Sequence, residues 1–183
     1  QNTSWDEARF ESCGQKWMDM SEGHYGVSLL NDCKYGHSAI DGVMTLTLIK
    51  SGIEPNPTAD QEEHTFTYAL YPHAENWRQA KTVQEAMKLN QPLLSVEGGC
   101  VGNESSFVSV DHQNVILETV KMAEDSDGVI IRLYESENAR TKAHISFEKE
   151  IVSVESCDCI ENAKMAVDIK DNGFDIEIKP YEI

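Results

Sequence analysis

The chain of 183 residues is long enough for one ordinary domain or two small ones. Its composition, 40% hydrophobic and 26% charged, is typical of a folded globular protein and excludes disorder of the whole chain. The formal net charge of -17, from 32 acidic and 15 basic residues, excludes nucleic acid and anionic membranes as partners, because both attract clusters of Lys and Arg.

Strand patterns dominate the first half of the chain. The apolar run at 25–30 predicts a strand, and the alternating run at 43–49 predicts a second one directly after the turn pair Asp41–Gly42. The segment 64–70 alternates again, with aromatic residues between threonines. These three runs therefore predict a β structure whose strands are joined by polar loops.

One helix stands out among these strands. Apolar residues recur at helical spacing across 76–89, with Asn76 as the expected N-cap and Asn90 and Pro92 as the expected end. The opening segment 5–16 is predicted to be either a second, shorter helix or an irregular arm.

Strand patterns continue through the second half, with turns between them at Asp127–Gly128 and 135–140. The asparagine–glycine pair Asn172–Gly173 predicts a hairpin that joins 167–170 to 174–178. The remaining predicted strands cover 107–110, 115–122, 129–134, 141–147 and 151–157. Spacing of this kind is typical of a β-sandwich of about seven strands.

A Gly-rich polar stretch at 97–106 predicts a domain boundary near residue 105. Residues 105–183 would then form a compact β-sandwich. Residues 1–104 offer only four or five strands and a helix, so they are predicted to be part of a larger sheet system. The chain begins with Gln1 rather than Met, and we expect it to be a piece of a longer protein.

The five cysteines form no disulfide framework, since their number is odd and their spacing irregular. We expect free thiols in a reducing compartment, which predicts a cytoplasmic protein. Cys33 is the only cysteine flanked by both an acid and a base. Asp32 disfavours its thiolate and Lys34 favours it, so we do not expect a catalytic cysteine.

Metal-binding motifs are missing from the sequence. The closest approach is Glu62–His64, whose two side chains would share one face of a strand but would need a third ligand from elsewhere. The acidic patches around Asp60 and Asp127 are expected to be solvated surfaces. We therefore expect neither a metal nor a cofactor on this chain.

The loop 31–36 holds an amide, a carboxylate, an ammonium and a phenol, contributed by Asn31, Asp32, Lys34 and Tyr35. Such groups donate and accept hydrogen bonds with sugar hydroxyls. The alternative is a loop whose Asn and Asp only cap turns. Composition and spacing leave both alternatives open.

The sequence NDCKYG at 31–36, followed by ADQEEHTFTYALYPH at 59–73, resembles the C-terminal portion of glycoside hydrolase family 38 alpha-mannosidases. The cytosolic and bacterial branch of that family is the most similar. The resemblance extends over nearly the whole chain and is strongest at 1–95 and 106–135.

The resemblance implies a fold that is mostly β, in which 1–104 is the end of a mutarotase-like supersandwich and 105–183 is a small terminal β-sandwich. It implies a zinc-dependent, retaining hydrolysis of alpha-mannosides by the intact enzyme. The family's zinc ligands and catalytic Asp belong to an N-terminal barrel, and no residue here matches those motifs. We therefore expect that this chain carries no catalytic residue and has no activity by itself. We expect its partner to be the N-terminal catalytic domain of the same polypeptide.

The resemblance also places the loops 31–36 and 52–64 at the catalytic cleft. The residues expected to line the cleft and contact alpha-mannoside glycans are Asn31, Asp32, Lys34, Tyr35, Asp60 and His64. The sequence NDCKYG departs from the Asp-Arg-x-x-Gly-Gly pattern of the lysosomal and Golgi branches. Contacts in those relatives are therefore not transferred to this chain.

Two other functions stay open at this point. A stand-alone carbohydrate-binding domain would bind mannosides by itself. A mutarotase-like epimerase would use His64 or His73 as an acid and a Glu as a base. A homodimer through the first hundred residues is also expected if a sheet is left with a bare edge.

Overall fold

The computed structural model describes residues 10–98, 102 and 105–183, and the chain forms two compact units that divide between Val96 and Glu97. We call Gln1–Val96 the first unit and Glu97–Ile183 the second unit. The division lies at the start of the Gly-rich stretch 97–106, upstream of the boundary predicted near residue 105. Strands far outnumber helices, which confirms the prediction of a mostly β chain.

In the described part of the first unit, six strands form two three-stranded antiparallel sheets: β1 Ser12–Cys13, β2 Trp17–Ser21, β3 Tyr25–Asn31, β4 Gly36–Ile40, β5 Val43–Thr47 and β6 Tyr68–Ala74. Strand β3 lies between β2 and β6, and β4 lies between β1 and β5. Asp41 and Gly42 both have positive φ in the β4–β5 turn, as a two-residue type I′ hairpin requires. The predicted strands at 25–30 and 43–49 are therefore confirmed to within two residues. The opening residues 1–9 lie outside the described part of the chain.

The strand predicted at 64–70 is wrong at its start, because pairing with β3 begins only at Tyr68. The N–H of Thr67 donates to the Asp32 carboxylate at 2.9 Å, and its carbonyl accepts from the Asp32 N–H at 3.2 Å. These contacts with a loop end the sheet pairing there. The strand instead continues through Pro72, which is tolerated because β6 lies at the edge of its sheet.

The helix α1 (Thr82–Asn90) begins later than predicted and ends where predicted. Lys81 has a left-handed backbone with φ 58°, which separates the helix from the turns that precede it. Asn76 is therefore not the N-cap. Its Oδ1 accepts a hydrogen bond from the Arg78 N–H at 2.9 Å and stabilises the first of these turns.

Eight strands form the described part of the second unit: β7 Val108–Val110, β8 Val115–Met122, β9 Val129–Glu135, β10 Thr141–Phe147, β11 Val154–Cys157, β12 Ala163–Val167, β13 Ile169–Lys170 and β14 Gly173–Ile178. A four-stranded sheet has the order β13–β14–β10–β7, and the hairpins β8–β9 and β11–β12 complete the unit. The predicted strands 115–122 and 141–147 are confirmed residue for residue.

An apolar core holds the second unit together. Its buried members come from strands β7, β8, β10 and β14, and side chains of β9, β11 and β12 pack against them. Ile145 is fully buried and Ala143 is 1% exposed. Burial of such aliphatic and aromatic side chains is the main stabilising contribution in a sandwich. The core comprises Val108, Val115, Ala143, Ile145, Phe174 and Ile178.

The predicted hairpin between β13 and β14 is confirmed, but its turn is centred one residue earlier than the sequence pattern indicates. Asp171 and Asn172 both have positive φ, and Gly173 already pairs with Lys170. A Cβ on Gly173 would lie 2.1 Å from the carbonyl oxygen of Ile145, so the glycine allows the close approach of β10.

Asn172 also explains why the strand predicted at 151–157 starts only at Val154. Its amide donates to the carbonyls of Phe147 and Lys149, and its Oδ1 accepts from the Ile151 N–H at 3.1 Å. The backbone of 149–151 is thereby held by a side chain rather than by a neighbouring strand. Among the described residues, no helix is long and apolar enough to cross a membrane.

Candidate functional site

Asn31 folds the loop 31–36 from a buried position. Its residue surface is 1% exposed, and its Oδ1 accepts a hydrogen bond from the Lys34 N–H at 2.7 Å. Its Nδ2 donates to Nε2 of His37 at 3.2 Å, so that ring carries its proton on Nδ1 and donates it to the Tyr35 carbonyl. Asn31 therefore shapes the loop and has no group directed to solvent.

Asp32 attaches this loop to the segment before β6 through its two contacts with Thr67. The hydrogen bond from the Cys33 thiol, followed by that from the Thr67 N–H, holds the pKa of Asp32 below its ordinary value. The same hydrogen bond with Asp32, followed by burial, raises the pKa of the Cys33 thiol. A thiol of this kind is a poor nucleophile at neutral pH.

Lys34 is half-buried and Tyr35 is exposed on the surface of the loop. The Nζ of Lys34 lies 4.5 Å from the ring centroid of Phe66, a cation–π contact. Phe66 in turn stacks on Tyr68 with 6.5 Å between ring centroids. The side chain of Tyr35 is 55% exposed, while its carbonyl accepts a hydrogen bond from the Gly14 N–H.

Asp60 and His64 lie in the loop that leads back to β6. Nε2 of His64 donates to the carbonyl of Asp60 at 2.9 Å, and Asp60 has a left-handed backbone with φ 56°. Within the described residues no hydrogen bond joins either of them to the loop 31–36. The structure thus joins the two loops at Phe66 and Thr67 and leaves Asp60 and His64 in a local turn beside that junction.

A buried polar cluster lies next to this region and was missed by the sequence analysis. It consists of Asp19, Ser28, His73 and Thr82, which come from β2, β3, β6 and the first turn of α1. The side chains of His73 and Asp19 are 3% and 4% exposed, and Nε2 and Oδ2 lie 2.8 Å apart. The hydroxyl of Ser28 donates to Asp19 Oδ2 at 2.8 Å and accepts from Thr82 at 2.7 Å.

The polar cluster has the composition of a hydrolytic triad but not its geometry. A triad needs the carboxylate on one ring nitrogen and the serine on the other. Here the Asp19 carboxylate and the Ser28 hydroxyl both contact the same ring nitrogen, Nε2 of His73, at 2.8 and 3.2 Å. The cluster therefore connects the helix to the sheet, and a His73 buried in this way has no access to a sugar.

Gly26 is the residue that makes room for the ring of His73. A Cβ at this position would lie 2.3 Å from Cε1 of His73 and 2.4 Å from Oγ of Ser21. Register places Gly26 directly opposite His73, so the ring lies over bare backbone. The sequence signal for the cluster was present but weak: single polar residues at positions 19 and 28 that interrupt otherwise apolar strands.

No three His, Cys, Asp or Glu side chains converge as metal ligands in 10–98, 102 and 105–183.

An apolar cleft with a volume of about 770 Å³ opens in the second unit. Its lining includes apolar side chains of β9, β10 and β14, among them Ile131, Phe147 and Phe174, and the segment 149–157. Sugar sites need convergent polar groups beside their aromatic surfaces. Charged residues also line the cleft, among them Lys149, Glu150 and Glu155, but it contains none of the six residues predicted to line a glycan cleft.

Two family models match the chain. Residues 1–58 match the model of the glycosyl hydrolases family 38 C-terminal domain, and residues 114–183 match that of the glycosyl hydrolases family 38 C-terminal beta sandwich domain. The chain belongs to the C-terminal region of glycosyl hydrolase family 38. This confirms the resemblance that the sequence motifs indicated.

Curated relatives match the family 38 chain over its full length. Alpha-mannosidase 2C1 of Homo sapiens is 36% identical over 189 residues, and alpha-mannosidase G of Dictyostelium discoideum is 35% identical over 192. An alpha-mannosidase of Saccharomyces cerevisiae is 32% identical over 206 residues. In each case 100% of this chain is covered, but it spans only 18%, 18% and 19% of the relative.

Solved structures share the fold. An alpha-mannosidase from Enterococcus faecalis superposes with a TM-score of 0.74 at 17% identity, over 99% of this chain and 21% of that one. A second family 38 protein from the same organism gives a TM-score of 0.69 at 16% identity, over 94% and 22% of the two chains.

Proposed function

We propose that this chain is the C-terminal part of a zinc-dependent, retaining alpha-mannosidase, in which it acts as scaffold and as part of the wall of the catalytic cleft. The observation that carries the proposal is the match to alpha-mannosidases along the entire chain. The described residues offer no metal site, so we propose that the zinc and the catalytic carboxylate lie elsewhere in the longer polypeptide.

The contacts within the loop 31–36 suggest a division of roles. Asn31 and Asp32 hold the loop, since their polar groups are taken by His37, Lys34 and Thr67. We assign the ammonium of the half-buried Lys34 and the phenol of the exposed Tyr35 to hydroxyl groups of an alpha-mannoside. Asp60 and His64 would follow at the rim of the same wall.

Hydrolysis of p-nitrophenyl alpha-mannoside tests the proposed activity. The 183-residue chain alone should release no nitrophenolate with or without added zinc, whereas the longer polypeptide that contains it should release nitrophenolate and stop when zinc is chelated. Turnover by the chain alone would contradict the proposal. So would an inert longer polypeptide that is folded and supplied with zinc.

The cleft contact is tested in the longer enzyme with Lys34→Ala and the matched variant Lys50→Ala, since Lys50 is an exposed lysine of the same unit. Loss of one charged hydrogen bond to substrate should lower kcat/KM about tenfold or more for Lys34→Ala. Lys50→Ala should leave kcat/KM unchanged. Equal kcat/KM values for the two variants would show that Lys34 does not contact the substrate.

The stand-alone alternatives predict different results for the isolated chain. A carbohydrate-binding domain would show mannoside binding by calorimetry. An epimerase would speed the interconversion of mannose anomers and lose that effect in His64→Ala. We propose a cytoplasmic location because Cys13, Cys33, Cys157 and Cys159 are free thiols, as a reducing compartment favours.

A further inference from the structure

The sheet β2–β3–β6 of the first unit has one covered face. On it lie the polar cluster and Tyr71, whose hydroxyl donates to the Ala80 carbonyl at 3.0 Å in the turn before α1. Trp17 packs on Trp77 from the same side, with 5.2 Å between ring centroids. Helix α1 and its preceding turns therefore occupy this face.

The opposite face carries an apolar strip along β6 that is open to solvent. Alternation places Tyr68, Leu70, Pro72 and Ala74 on this side, and register sets Tyr25 beside Ala74. Leu70 is 67% exposed, Tyr68 is 57% exposed and Tyr25 is 52% exposed. We call these five residues the apolar strip.

A sheet normally buries an apolar face against another layer, and soluble proteins seldom leave contiguous apolar patches open. The inner rows of the same face are better covered, since Leu29, opposite Leu70, is only 7% exposed. The open area thus runs along the edge strand β6 and reaches the central strand β3 only at Tyr25. Its position predicts a missing layer beside β6.

The strip is continuous with the loop 31–36. Tyr68 stacks on Phe66, and Phe66 lies beneath the ammonium of Lys34. Whatever covers Tyr68 therefore also lies close to Lys34. This connects the open face to the wall of the cleft in the proposed enzyme.

We propose that the apolar strip is the surface on which the remainder of the longer enzyme docks, so that docking sets the position of Lys34 at the cleft. The proposal rests on the proposed function. It commits to this occupant because the chain spans 18% of its relatives, which leaves about four-fifths of such a polypeptide to supply a layer. A second copy is disfavoured because two chains of net charge -17 repel each other.

The test uses thiol labelling in the longer polypeptide. Leu70→Cys is compared with Met165→Cys on β12, because the two side chains are 67% and 68% exposed in this structure. Labelling by N-ethylmaleimide is followed for each cysteine by peptide mass spectrometry, relative to the same site in urea. Docking should slow labelling at position 70 at least about tenfold relative to position 165, because reaction then requires local opening.

Equal rates at the two positions in the folded protein would overturn the proposal. Protection that disappears on about hundredfold dilution would also overturn it, since a second copy would then be the occupant. Mannosidase activity is measured on the same samples. Protection at position 70 in an inert polypeptide would refute the proposed function but support the docking surface. Mannosidase activity without protection at position 70 would refute the docking surface but support the proposed function.

Discussion

The two units of this chain are built around centres of opposite character. In the second unit, Ile145 and Ala143 are buried inside an apolar core, and Glu135 is a buried carboxylate at the end of β9. In the first unit, the deeply buried residues are the apolar Ala86 of α1 and three polar, hydrogen-bonded residues, Ser28, Thr82 and Asn31. The second unit therefore depends mainly on an apolar core, whereas the first unit depends in addition on a buried cluster of paired polar groups between its sheet and its helix.

This difference teaches what each unit depends on. Apolar packing is not directional, so the stability lost when a core side chain is shortened increases with the volume removed. A buried hydrogen-bonded cluster depends on every partner, because one deletion leaves the others unsatisfied. The following variants separate these two modes of stabilisation, in order of decreasing expected effect.

Ile145→Ala should destabilise the second unit by about 3 kcal/mol, because it leaves a cavity at a fully buried site. Urea unfolding followed by hydrogen exchange would report the loss for β7–β10 and β14. The matched variant Ile169→Ala, at a site 41% exposed, should cost clearly less. If the two variants unfold alike, the apolar core does not dominate the second unit.

Ser28→Ala should destabilise the first unit by about 2 kcal/mol, because Thr82, Asp19 and His73 each lose a buried partner. Amide hydrogen exchange of β3 and α1 would measure this loss of stability. Ser38→Ala, which removes a cross-strand hydroxyl contact on the surface with Thr45, should change stability by no more than about 0.5 kcal/mol. A neutral Ser28→Ala would show that the polar cluster is not what joins helix and sheet.

Glu135→Gln tests the buried carboxylate at the end of β9. Burial by itself raises the pKa of Glu135, but hydrogen bonds from the Tyr181 N–H, the Asn114 amide and the Glu137 N–H outweigh it and hold the pKa below its ordinary value of 4.5. A lowered pKa stabilises the folded state above the ordinary value, and this stabilisation is lost as pH falls through the folded pKa.

The second unit should therefore lose stability below about pH 4.5 more steeply in the wild type than in Glu135→Gln. At neutral pH the variant should be less stable by about 1.5 kcal/mol, because an amide replaces an ionised acceptor. Urea unfolding between acidic and neutral pH measures both effects. Glu150→Gln, at an exposed carboxylate, is the control and should follow the wild type. Parallel pH curves for the wild type and Glu135→Gln would contradict this role.

The smallest effect is expected for Asn76→Ala. Its Oδ1 caps the turn that leads to α1, and loss of such a side-chain cap costs about 0.5–1 kcal/mol. Exchange at Arg78 and in α1 should rise slightly while the second unit is unchanged. A loss as large as that of Ser28→Ala would mean that the turn, rather than the polar cluster, positions the helix.

Local patterns predicted most of the strands. The strands 115–122 and 141–147 alternate cleanly and are bounded by turn residues, so their limits were predicted to the residue. The predictions that failed at their ends, 64–70 and 151–157, share one cause. In both segments a distant side chain, Asp32 or Asn172, takes up backbone groups that a strand would use.

The sequence by itself determined the mostly β character, most of the strand positions of the second unit and, through NDCKYG and the motif that follows it, the family. These properties depend on local alternation and on residue identity. Only the tertiary structure decided that Asn31 is buried, that Asp19, Ser28, His73 and Thr82 meet, and that β6 exposes an apolar strip. Those facts depend on contacts between residues up to about fifty positions apart, and alternation along one strand cannot specify which partner lies across it.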